Sequence, residues 1–495
     1  MDAARPILRP GDTCWRIEKA DRLAVIVDAA DYFTALRDVM QKARHSVIMI
    51  GWEFDTRIAL DPRKDGNRVP IRLGRFLSWL VRQRPDLRIY MLQWDSGLLR
   101  TLGRGSTPLR IADWLIERRI RLKLDHAHPA GAAHHQKIVV IDDALAFCGG
   151  IDATADRWDT PAHPDESPHR VRPTSKRPYG PWHDATAAVD GDAARALGDL
   201  ARMRWEAATG ERLPPPGPVP PLWPEHLEPM MTDVGVGISR TAPDYADRDG
   251  VHEIEALYLA VIAATRRTLY IESQYFASRR IAEAIAARLG EPEGPEFVVV
   301  NPESARGWLE EEAMGSARAR LLKLVRKADV HGRFRLYTPV TRGGTPIYVH
   351  AKILIMDDRL MRVGSSNLNN RSLGFDTECD LSVEARPGAP GESDLRRRIR
   401  GFRTKLLAEH LDVDPERLSR TLGETSGSLI PAVEALRGEG RSLVPFEPPE
   451  FNAVEDGILR ENDLLDPERP AQRRPGLKWG LGKLRRAVWG SRRST

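Results

Sequence analysis

The sequence has few cysteines and no long hydrophobic run. Its 495 residues include three cysteines, Cys14, Cys148 and Cys379, which form no CxxC motif and no disulfide framework and therefore predict a reducing compartment. The longest apolar runs, at 23–27 and 46–52, are strand-sized, whereas a membrane-spanning helix needs about 18 uninterrupted apolar residues. The N-terminal segment lacks the apolar core of a signal peptide. These absences exclude a disulfide scaffold and an integral membrane protein, and they predict a cytoplasmic or peripherally membrane-associated protein.

The sequence also has little excess charge of either sign. The formal net charge is only +5, which argues against a dedicated nucleic-acid coat protein but allows an anionic substrate. Hydrophobic residues make up 41% of the chain and charged residues 29%, a composition that excludes general disorder.

A proline-rich segment at 214–229 divides the chain into two halves. Proline at this density fits neither a helix nor a central strand, so the segment is predicted to be an extended linker. Each half alternates short β-branched runs with longer amphipathic segments, which favours an α/β fold. Strands are predicted at 46–50, 88–94, 137–141, 267–276, 296–301, 334–340 and 352–356, and helices at 32–45 and 310–328.

The C-terminal tail has a different composition. Beyond residue 475, apolar residues recur with helical spacing from Leu477 to Val488, among several lysines and arginines and with no acidic residue. Such a basic helix, with Trp479 and Trp489 in it, could lie on an anionic membrane surface. A frayed, soluble basic tail is the alternative, because two glycines weaken the helix.

An internal repeat links the two halves. When segment 134–152 is aligned with segment 349–367, the same residue types coincide at several positions. The matched pairs are His135 with His350, Lys137 with Lys352, Asp142 with Asp357, Gly149 with Gly364, and Asp152 with Asn367. One HxK pattern alone would be weak evidence, but two in register predict paired functional sites.

The repeat predicts two hairpins. Residues i and i+2 of a strand point to the same face, so each His lies beside its Lys. A turn at 143–144 would place His135 opposite Asp152, and the equivalent turn would place His350 opposite Asn367. Asp142 and Asp357 would lie at the far turns, where a structural role is expected.

A cation beside an imidazole is suited to a phosphate group. Protonated lysine cannot bind a metal, so the pattern makes a poor zinc site, and neither a metal nor a cofactor is expected. Two copies placed across a pseudo-twofold axis would clamp one phosphodiester. One histidine would attack phosphorus, the other would protonate the leaving oxygen, and the lysines would neutralise developing charge. For either motif taken alone, a surface hairpin or a hydrogen-bonded core histidine is the favoured interpretation; two motifs in register favour the phosphate site.

The two HxKxxxxD motifs, each followed by a glycine-containing step, resemble the phospholipase D superfamily over residues 20–410. The segments "GPWHDATAAVDGDAARAL", "YIESQYF" and "GSSNLNNRSLGFDTECDL" resemble the eukaryotic-type phospholipase D catalytic core more than phosphodiesterase nucleases. This resemblance implies an α/β fold of two similar domains, each a mixed β-sheet flanked by helices, related by a pseudo-twofold axis. The predicted divisions are 1–213, the linker 214–229, 230–415, and a C-terminal extension 416–495.

The resemblance also implies roles for the site residues. It makes His135 the nucleophile that forms a phosphohistidine, and His350 the general acid and then base, although the two halves are too similar for the sequence to decide between them. Lys137, Lys352 and Asn367 would contact phosphoryl oxygens; Asp152, a carboxylate, is not given that role.

Two acids are expected to orient the histidines. Aligning residues 183–189 with 377–383 pairs Asp184 with Glu378, each at the head of a predicted strand. Which acid supports which histidine stays open.

Four aromatic residues lie near predicted strand ends: Trp52, Trp94, Trp182 and Tyr275. They would either line a head-group pocket or belong to the core.

The function implied by the resemblance is that of a phospholipase D acting on glycerophospholipids, with transfer to alcohols as well as to water. A cardiolipin synthase-like phosphatidyltransferase is the main alternative, and a superfamily nuclease or a non-catalytic membrane scaffold is less favoured. The expected partners are a phospholipid and a membrane surface, without nucleic acid.

Overall fold

A single mixed β-sheet runs through both halves of the chain. The computed structural model describes residues 5–64, 68–95, 118–304 and 315–448. Within these ranges 16 strands form the sheet, and two short strands pair separately. Helices cover the sheet, so central strands such as 46–51 and 296–300 are apolar along most of their length and almost wholly buried.

The strands of the first half are β1 (Arg16–Val27), β2 (Ser46–Gly51), β3 (Arg88–Trp94), β4 (Ile120–Asp125), β5 (Ile138–Ile141), β6 (Leu145–Gly149), β7 (Trp182–His183) and β8 (Ala185–Asp190). Those of the second half are β9 (Met231–Ala242), β10 (Val251–His252), β11 (Thr268–Glu272), β12 (Glu296–Val300), β13 (Phe334–Val340), β14 (Tyr348–Val349), β15 (Ile353–Met356), β16 (Leu360–Gly364), β17 (Glu378–Glu384) and β18 (Ser442–Pro445).

The α-helices that the structure describes are α1 (Ala29–Met40), α2 (Leu73–Gln83), α3 (Gly191–Thr209), α4 (Glu253–Ala264), α5 (Arg279–Leu289), α6 (Ser316–Ala328), α7 (Glu392–Leu411), α8 (Pro415–Glu424) and α9 (Leu429–Leu436). A π-helical turn spans Arg371–Phe375. Among the described residues, every helix is too short or too polar to cross a bilayer.

The strand order repeats with twofold symmetry, which confirms the predicted fold class. The first half reads β4-β3-β2-β5-β6-β8-β1 from its edge inward, and the second reads β13-β12-β11-β15-β16-β17-β9. In each half three parallel strands continue into antiparallel ones. The antiparallel pair β1–β9, in which Ile17 faces Gly237, joins the two sheets into one.

The predicted strands are present, with two differences at element ends. The run predicted at 267–276 ends as a strand at Glu272. The helix predicted at 32–45 begins at Ala29 and ends at Met40, because the backbone N–H groups of Arg44 and His45 bind the Asp142 carboxylate and lead into β2.

The segment 214–229 contains no helix or strand, and Leu222 packs into the core of the first half.

The C-terminal extension continues the second half of the fold. Residues 416–448 supply most of α8, then α9 and β18, and β18 pairs with β13 at the edge of the sheet. The predicted domain boundaries stay a prediction. The basic tail beyond residue 475 lies outside the described residues, and so does its predicted contact with membranes.

Candidate active site

Each HxKxxxxD motif enters a hairpin whose register differs by one residue from the prediction. Ile138 pairs with Cys148 and Ile141 with Leu145, so the loop is 142–144 rather than 143–144. The second hairpin pairs Ile353 with Val363 in the same way. The extra loop residue follows from the conformation of Asp142 and Asp143, which both adopt a left-handed backbone with φ of 52°. The predicted facing of His135 with Asp152, and of His350 with Asn367, was therefore wrong by one position.

The motif aspartates lie at the hairpin turns. The Asp142 carboxylate accepts three backbone N–H groups, from residues 44–46, at 2.6–2.8 Å. Asp357 does the same for residues 266–268 at 2.7–2.9 Å. Each carboxylate thus fixes the entry into the neighbouring strand, and the structure places both where a structural role is expected.

Backbone hydrogen bonds between the two halves position both motif histidines. Segment β14, just before His350, pairs in parallel with β7 of the first half, and the His350 N–H donates to the His183 carbonyl at 2.7 Å. The twofold-related contact is the N–H of His135 donating to the Thr377 carbonyl at 3.0 Å. Each motif is therefore held against the other half by backbone hydrogen bonds.

Each orienting acid binds the motif histidine of the other half. His135 Nδ1 lies 2.9 Å from both carboxylate oxygens of Glu378, and His350 Nδ1 lies 2.7 Å from Asp184 Oδ2. The sequence could not say which acid serves which histidine; the structure pairs each histidine with the acid of the opposite half. Because Nδ1–H donates to a carboxylate, Nε2 is left as the unprotonated nitrogen that can attack phosphorus or carry a proton.

The two acids are held differently. The Glu378 carboxylate accepts hydroxyl hydrogen bonds from Ser372 at 2.6 Å and from Ser365. Asp184 Oδ1 accepts the backbone N–H of Ala185 at 2.8 Å. Gly150 occupies the position equivalent to Ser365, and a Cβ there would lie 2.1 Å from Asp184 Oδ1. Glycine at this position therefore gives Asp184 the room it needs.

Both lysines are buried beside their histidines. Lys137 Nζ donates to the His135 carbonyl at 3.0 Å and lies 3.2 Å from Asp152 Oδ2. Lys352 Nζ donates to the His350 carbonyl. Asp152 thus serves as the counter-ion of Lys137. The equivalent residue in the second half is Asn367, whose amide lies 3.5 Å from the Gln274 side-chain oxygen.

Burial and the clustered cations shift the protonation of the site. Burial, together with the charges of both lysines, holds the pKa of His135 and of His350 well below the usual range. Burial also raises the pKa of Glu378 to about 7. Burial, with the Lys137 charge as a further contribution, lowers the pKa of Lys352 to about 7. A bound phosphate anion would oppose the effect of the cations, so the site is electrostatically suited to such a ligand.

Aromatic rings flank both histidines. The Trp52 ring lies edge-on at 5.3 Å from His135, and Trp182 lies 5.1 Å from His350. Trp94 lies 5.7 Å from Trp52. Trp182 is almost fully buried, with the Arg157 guanidinium 4.4 Å from its ring centroid, so it forms a wall rather than an open pocket.

Sequence reasoning missed several residues of this site. Gln274, Ser365 and Ser372 lie in segments that resemble the family, but the sequence assigned them no role, and Arg157 lies in none of these segments. The contacts of all four come from tertiary structure. Ser365 had one available signal, because it follows the repeat's glycine at the position where the first half has Gly150. Tyr275, which the sequence also singled out, accepts a hydrogen bond from Gln274 at 2.9 Å.

Comparisons with known proteins agree on one family. A family described as "Cardiolipin synthase, PLD-like domain" matches residues 258–390. The chain is 26% identical to phospholipase D A of Dictyostelium discoideum, covering 81% of this chain and 36% of that protein. It is 24% identical to phospholipase D alpha 2 of Oryza sativa subsp. japonica, covering 76% of this chain and 62% of that protein.

A solved structure shares the fold. The crystal structure of phosphatidylserine synthase from Haemophilus influenzae Rd KW20 superposes with a TM-score of 0.50 and 13% identity, covering 78% of this chain and 88% of that one. This likeness concerns the fold alone. The family match and the two sequence relatives, taken with the repeated motifs, support membership of the phospholipase D superfamily, which comprises phosphodiesterases and phosphatidyltransferases.

Proposed function

We propose that this protein is a phospholipase D-type enzyme that cleaves glycerophospholipids to phosphatidic acid and a free head group through a phosphohistidine. The observation that carries the proposal is the pair of imidazoles, each bound at Nδ1 by a carboxylate of the opposite half and each beside a buried lysine. This arrangement supplies a nucleophile, a proton donor and two cations to one phosphodiester.

The proposed first step forms a covalent intermediate. His135 Nε2 attacks phosphorus, the bond from phosphorus to the head-group oxygen breaks, and protonated His350 gives its Nε2 proton to that oxygen. The lysine charges disfavour the imidazolium form of His350, and the negative charge of the bound phosphodiester opposes that effect. Asp184 stabilises the His350 imidazolium through its hydrogen bond to Nδ1. Lys137, Lys352 and Asn367 neutralise the phosphoryl oxygens.

The second step reverses these roles. His350 removes a proton from water, the resulting oxygen attacks phosphorus, and the bond between phosphorus and His135 breaks to release phosphatidic acid. An alcohol in place of water gives the corresponding phosphatidyl alcohol. The choice of His135 as nucleophile follows the family resemblance, because both histidines have equivalent partners.

A cardiolipin synthase-like phosphatidyltransferase is the second candidate. It is favoured by the description of the family that matches residues 258–390. The same phosphohistidine would then pass its phosphatidyl group to the hydroxyl of phosphatidylglycerol instead of to water.

Lipid analysis of the reaction tests both candidates. The purified chain is incubated with vesicles of mixed phospholipids and a little ethanol, and the lipids are analysed by mass spectrometry. Phosphatidic acid with phosphatidylethanol supports the first candidate, and the lipid consumed identifies the head group. Cardiolipin as the main product supports the second. Absence of lipid turnover by a folded protein contradicts both, and a nucleic-acid cleavage assay would then test the nuclease alternative.

A substrate with a good leaving group tests the roles of the histidines. Phosphatidyl-p-nitrophenol needs no proton donor in the first step, so His350→Ala should accumulate a phosphatidyl adduct on His135. Intact-mass and peptide analysis would locate the adduct, and His135→Ala should show none. An adduct on His350 in the His135→Ala variant would reverse the assignment.

A further inference from the structure

We propose that this protein binds one divalent transition-metal ion, best matched by Zn²⁺, through Asp28, His163, His183 and Glu409. The four side chains are at most 6% exposed. They come from the residue that follows β1, the loop before β7, β7 itself and α7. The site is separate from the two motif histidines and supplies no step of the proposed reaction.

Four ligand atoms converge at this cluster. His163 Nε2 lies 3.4 Å from Asp28 Oδ2 and 3.4 Å from Glu409 Oε1. His183 Nδ1 lies 3.2 Å from Glu409 Oε1, and the Asp28 oxygen nearest to it is Oδ1, at 3.6 Å. In a tetrahedral zinc site with bonds of 2.0–2.1 Å, neighbouring ligand atoms are about 3.3–3.4 Å apart. The three separations among Asp28 Oδ2, His163 Nε2, Glu409 Oε1 and His183 Nδ1, at 3.2–3.4 Å, therefore fit edges of a zinc tetrahedron.

These atoms have no hydrogen-bond partner. Asp28 Oδ2, His163 Nε2, His183 Nδ1 and Glu409 Oε1 are all buried and all unsatisfied. A buried polar atom without a partner is costly, and four that face one another call for a common ligand. A divalent cation satisfies all four and balances the two carboxylates.

Both histidines are oriented from behind by carboxylates. His163 Nδ1 lies 3.0 Å from Asp159 Oδ2, and His183 Nε2 lies 2.8 Å from Glu272 Oε2. Asp159 also accepts hydrogen bonds from Arg170 and from the Trp182 backbone. When the outer nitrogen donates to its carboxylate, the inner nitrogen presents a lone pair to the cluster. This carboxylate–histidine arrangement is typical of zinc ligands.

The alternative is a cluster without metal in which His163 and His183 are both protonated to imidazolium cations. That state would place two like charges in buried rings whose centroids are 5.6 Å apart. The inner contacts would also be long for charge-assisted hydrogen bonds, which are usually about 2.7–2.9 Å. One metal ion in place of two protons removes both difficulties.

The backbone supports the cluster at a conformational cost. Asp28 has φ 65° and ψ 153°, and His163 has φ 38°, although neither is glycine. Residues in such regions persist where surrounding contacts impose them. Asp28 is fixed by its N–H donating to the Asp184 carbonyl at 2.7 Å, and its Oδ1 accepts the Asp184 N–H at 3.1 Å.

The ion would stabilise the geometry around one motif histidine. The His183 carbonyl accepts the His350 N–H, and Asp184, next in the chain, holds His350 Nδ1. The twofold-equivalent positions carry Thr241 in place of Asp28 and Thr377 in place of His183. The ion would therefore serve the His350 side and make the two halves unequal. No sequence spacing predicted it, because the four ligands lie on four separate segments.

Metal content tests the inference without reference to activity. The full chain is unfolded in chelator, refolded with Zn²⁺, dialysed and analysed by inductively coupled plasma mass spectrometry. We expect about one ion per chain, a higher thermal midpoint than after refolding without metal, and, with Co²⁺, the visible absorption of a tetrahedral ion. Folded wild-type protein that takes up no Zn²⁺ overturns the proposal.

Variants locate the ion. H163Q and E409Q should reduce the bound zinc from about one ion per chain to about a tenth or less. H410N is the matched control, because His410 is a neighbouring buried histidine bound to Glu272 at 3.1 Å and is not among the four ligands. Zinc retained in H410N and lost in the other two supports the assignment. Zinc lost in H410N and retained in H163Q would place the ion in the neighbouring cluster and refute it.

Discussion

Replacing each orienting acid by its amide should affect the two histidines unequally. In Asp184→Asn, the backbone N–H of Ala185 keeps the amide oxygen at the Oδ1 position, so the NH₂ group faces His350 Nδ1. An NH₂ donor there forces the imidazole proton onto Nε2, which is the wrong tautomer for a base. Glu378→Gln has more freedom, because the Ser365 and Ser372 hydroxyls can accept as well as donate.

The expected magnitudes follow from this difference. Asp184→Asn should lower kcat by about 10³ to 10⁴, equivalent to about 4–5.5 kcal/mol of transition-state stabilisation. Glu378→Gln can still accept from His135 Nδ1 and loses only the negative charge that supports an imidazolium, so a loss of about 10- to 100-fold is expected.

Steady-state release of head group from phospholipid vesicles measures both variants. Thermal unfolding, measured in parallel, shows whether each variant keeps the native fold. Equal losses in two folded variants, or a larger loss in Glu378→Gln, would refute the tautomer argument. Asp184→Glu, which restores the carboxylate, should recover part of the activity only if the charge and acceptor matter more than the length of the side chain.

Three further outcomes follow from the same geometry. The Lys352 pKa is lowered to about 7, so its ammonium group loses its proton above that pH. The affinity of the protein for inorganic phosphate, measured by calorimetry, should therefore fall as the pH rises from about 6.5 to about 8.5. An affinity that does not change with pH would contradict this prediction. The Glu378 pKa is raised to about 7, so the carboxylate that accepts the His135 hydrogen bond is ionised above pH 7 and becomes protonated below it. The value of kcat/KM should therefore decline as the pH falls below 7. Glu378→Gln should lack that decline. Asp142→Ala removes the acceptor of three backbone N–H groups and should lower the free energy of unfolding by about 2–4 kcal/mol in urea titration while leaving kcat unchanged.

The space around Gly150 gives a fifth prediction. Gly150→Ala would place a methyl group against Asp184 and should reduce activity far more than Gly180→Ala, where a Cβ meets nothing within 4 Å. Equal activity in the two variants would show that Asp184 can move without consequence.

Local pattern predicted much of the secondary structure and less of the connections. The β-branched runs became β2, β3, β5, β12, β13 and β15 within a residue or so, because these strands are short, apolar and buried whichever strands they pair with. The hairpin register was missed by one residue, since Asp142 enters the loop to bind the backbone of a strand nearly a hundred positions away. The amphipathic pattern likewise extended α1 too far, because that same contact ends it.

The sequence by itself determined that two equivalent motifs exist, since His135, Lys137, His350 and Lys352 repeat in register. It also identified Asp184 and Glu378 as equivalent acids. Only the tertiary structure decided that Glu378 serves His135, 243 residues away, and that Asp184 serves His350, 166 residues away. It alone brought Asp28, His163, His183 and Glu409 together. The physical reason is that these contacts arise where β1 meets β9 and where the segment before each motif strand pairs with the opposite half. No local periodicity records pairings between segments so far apart in the chain.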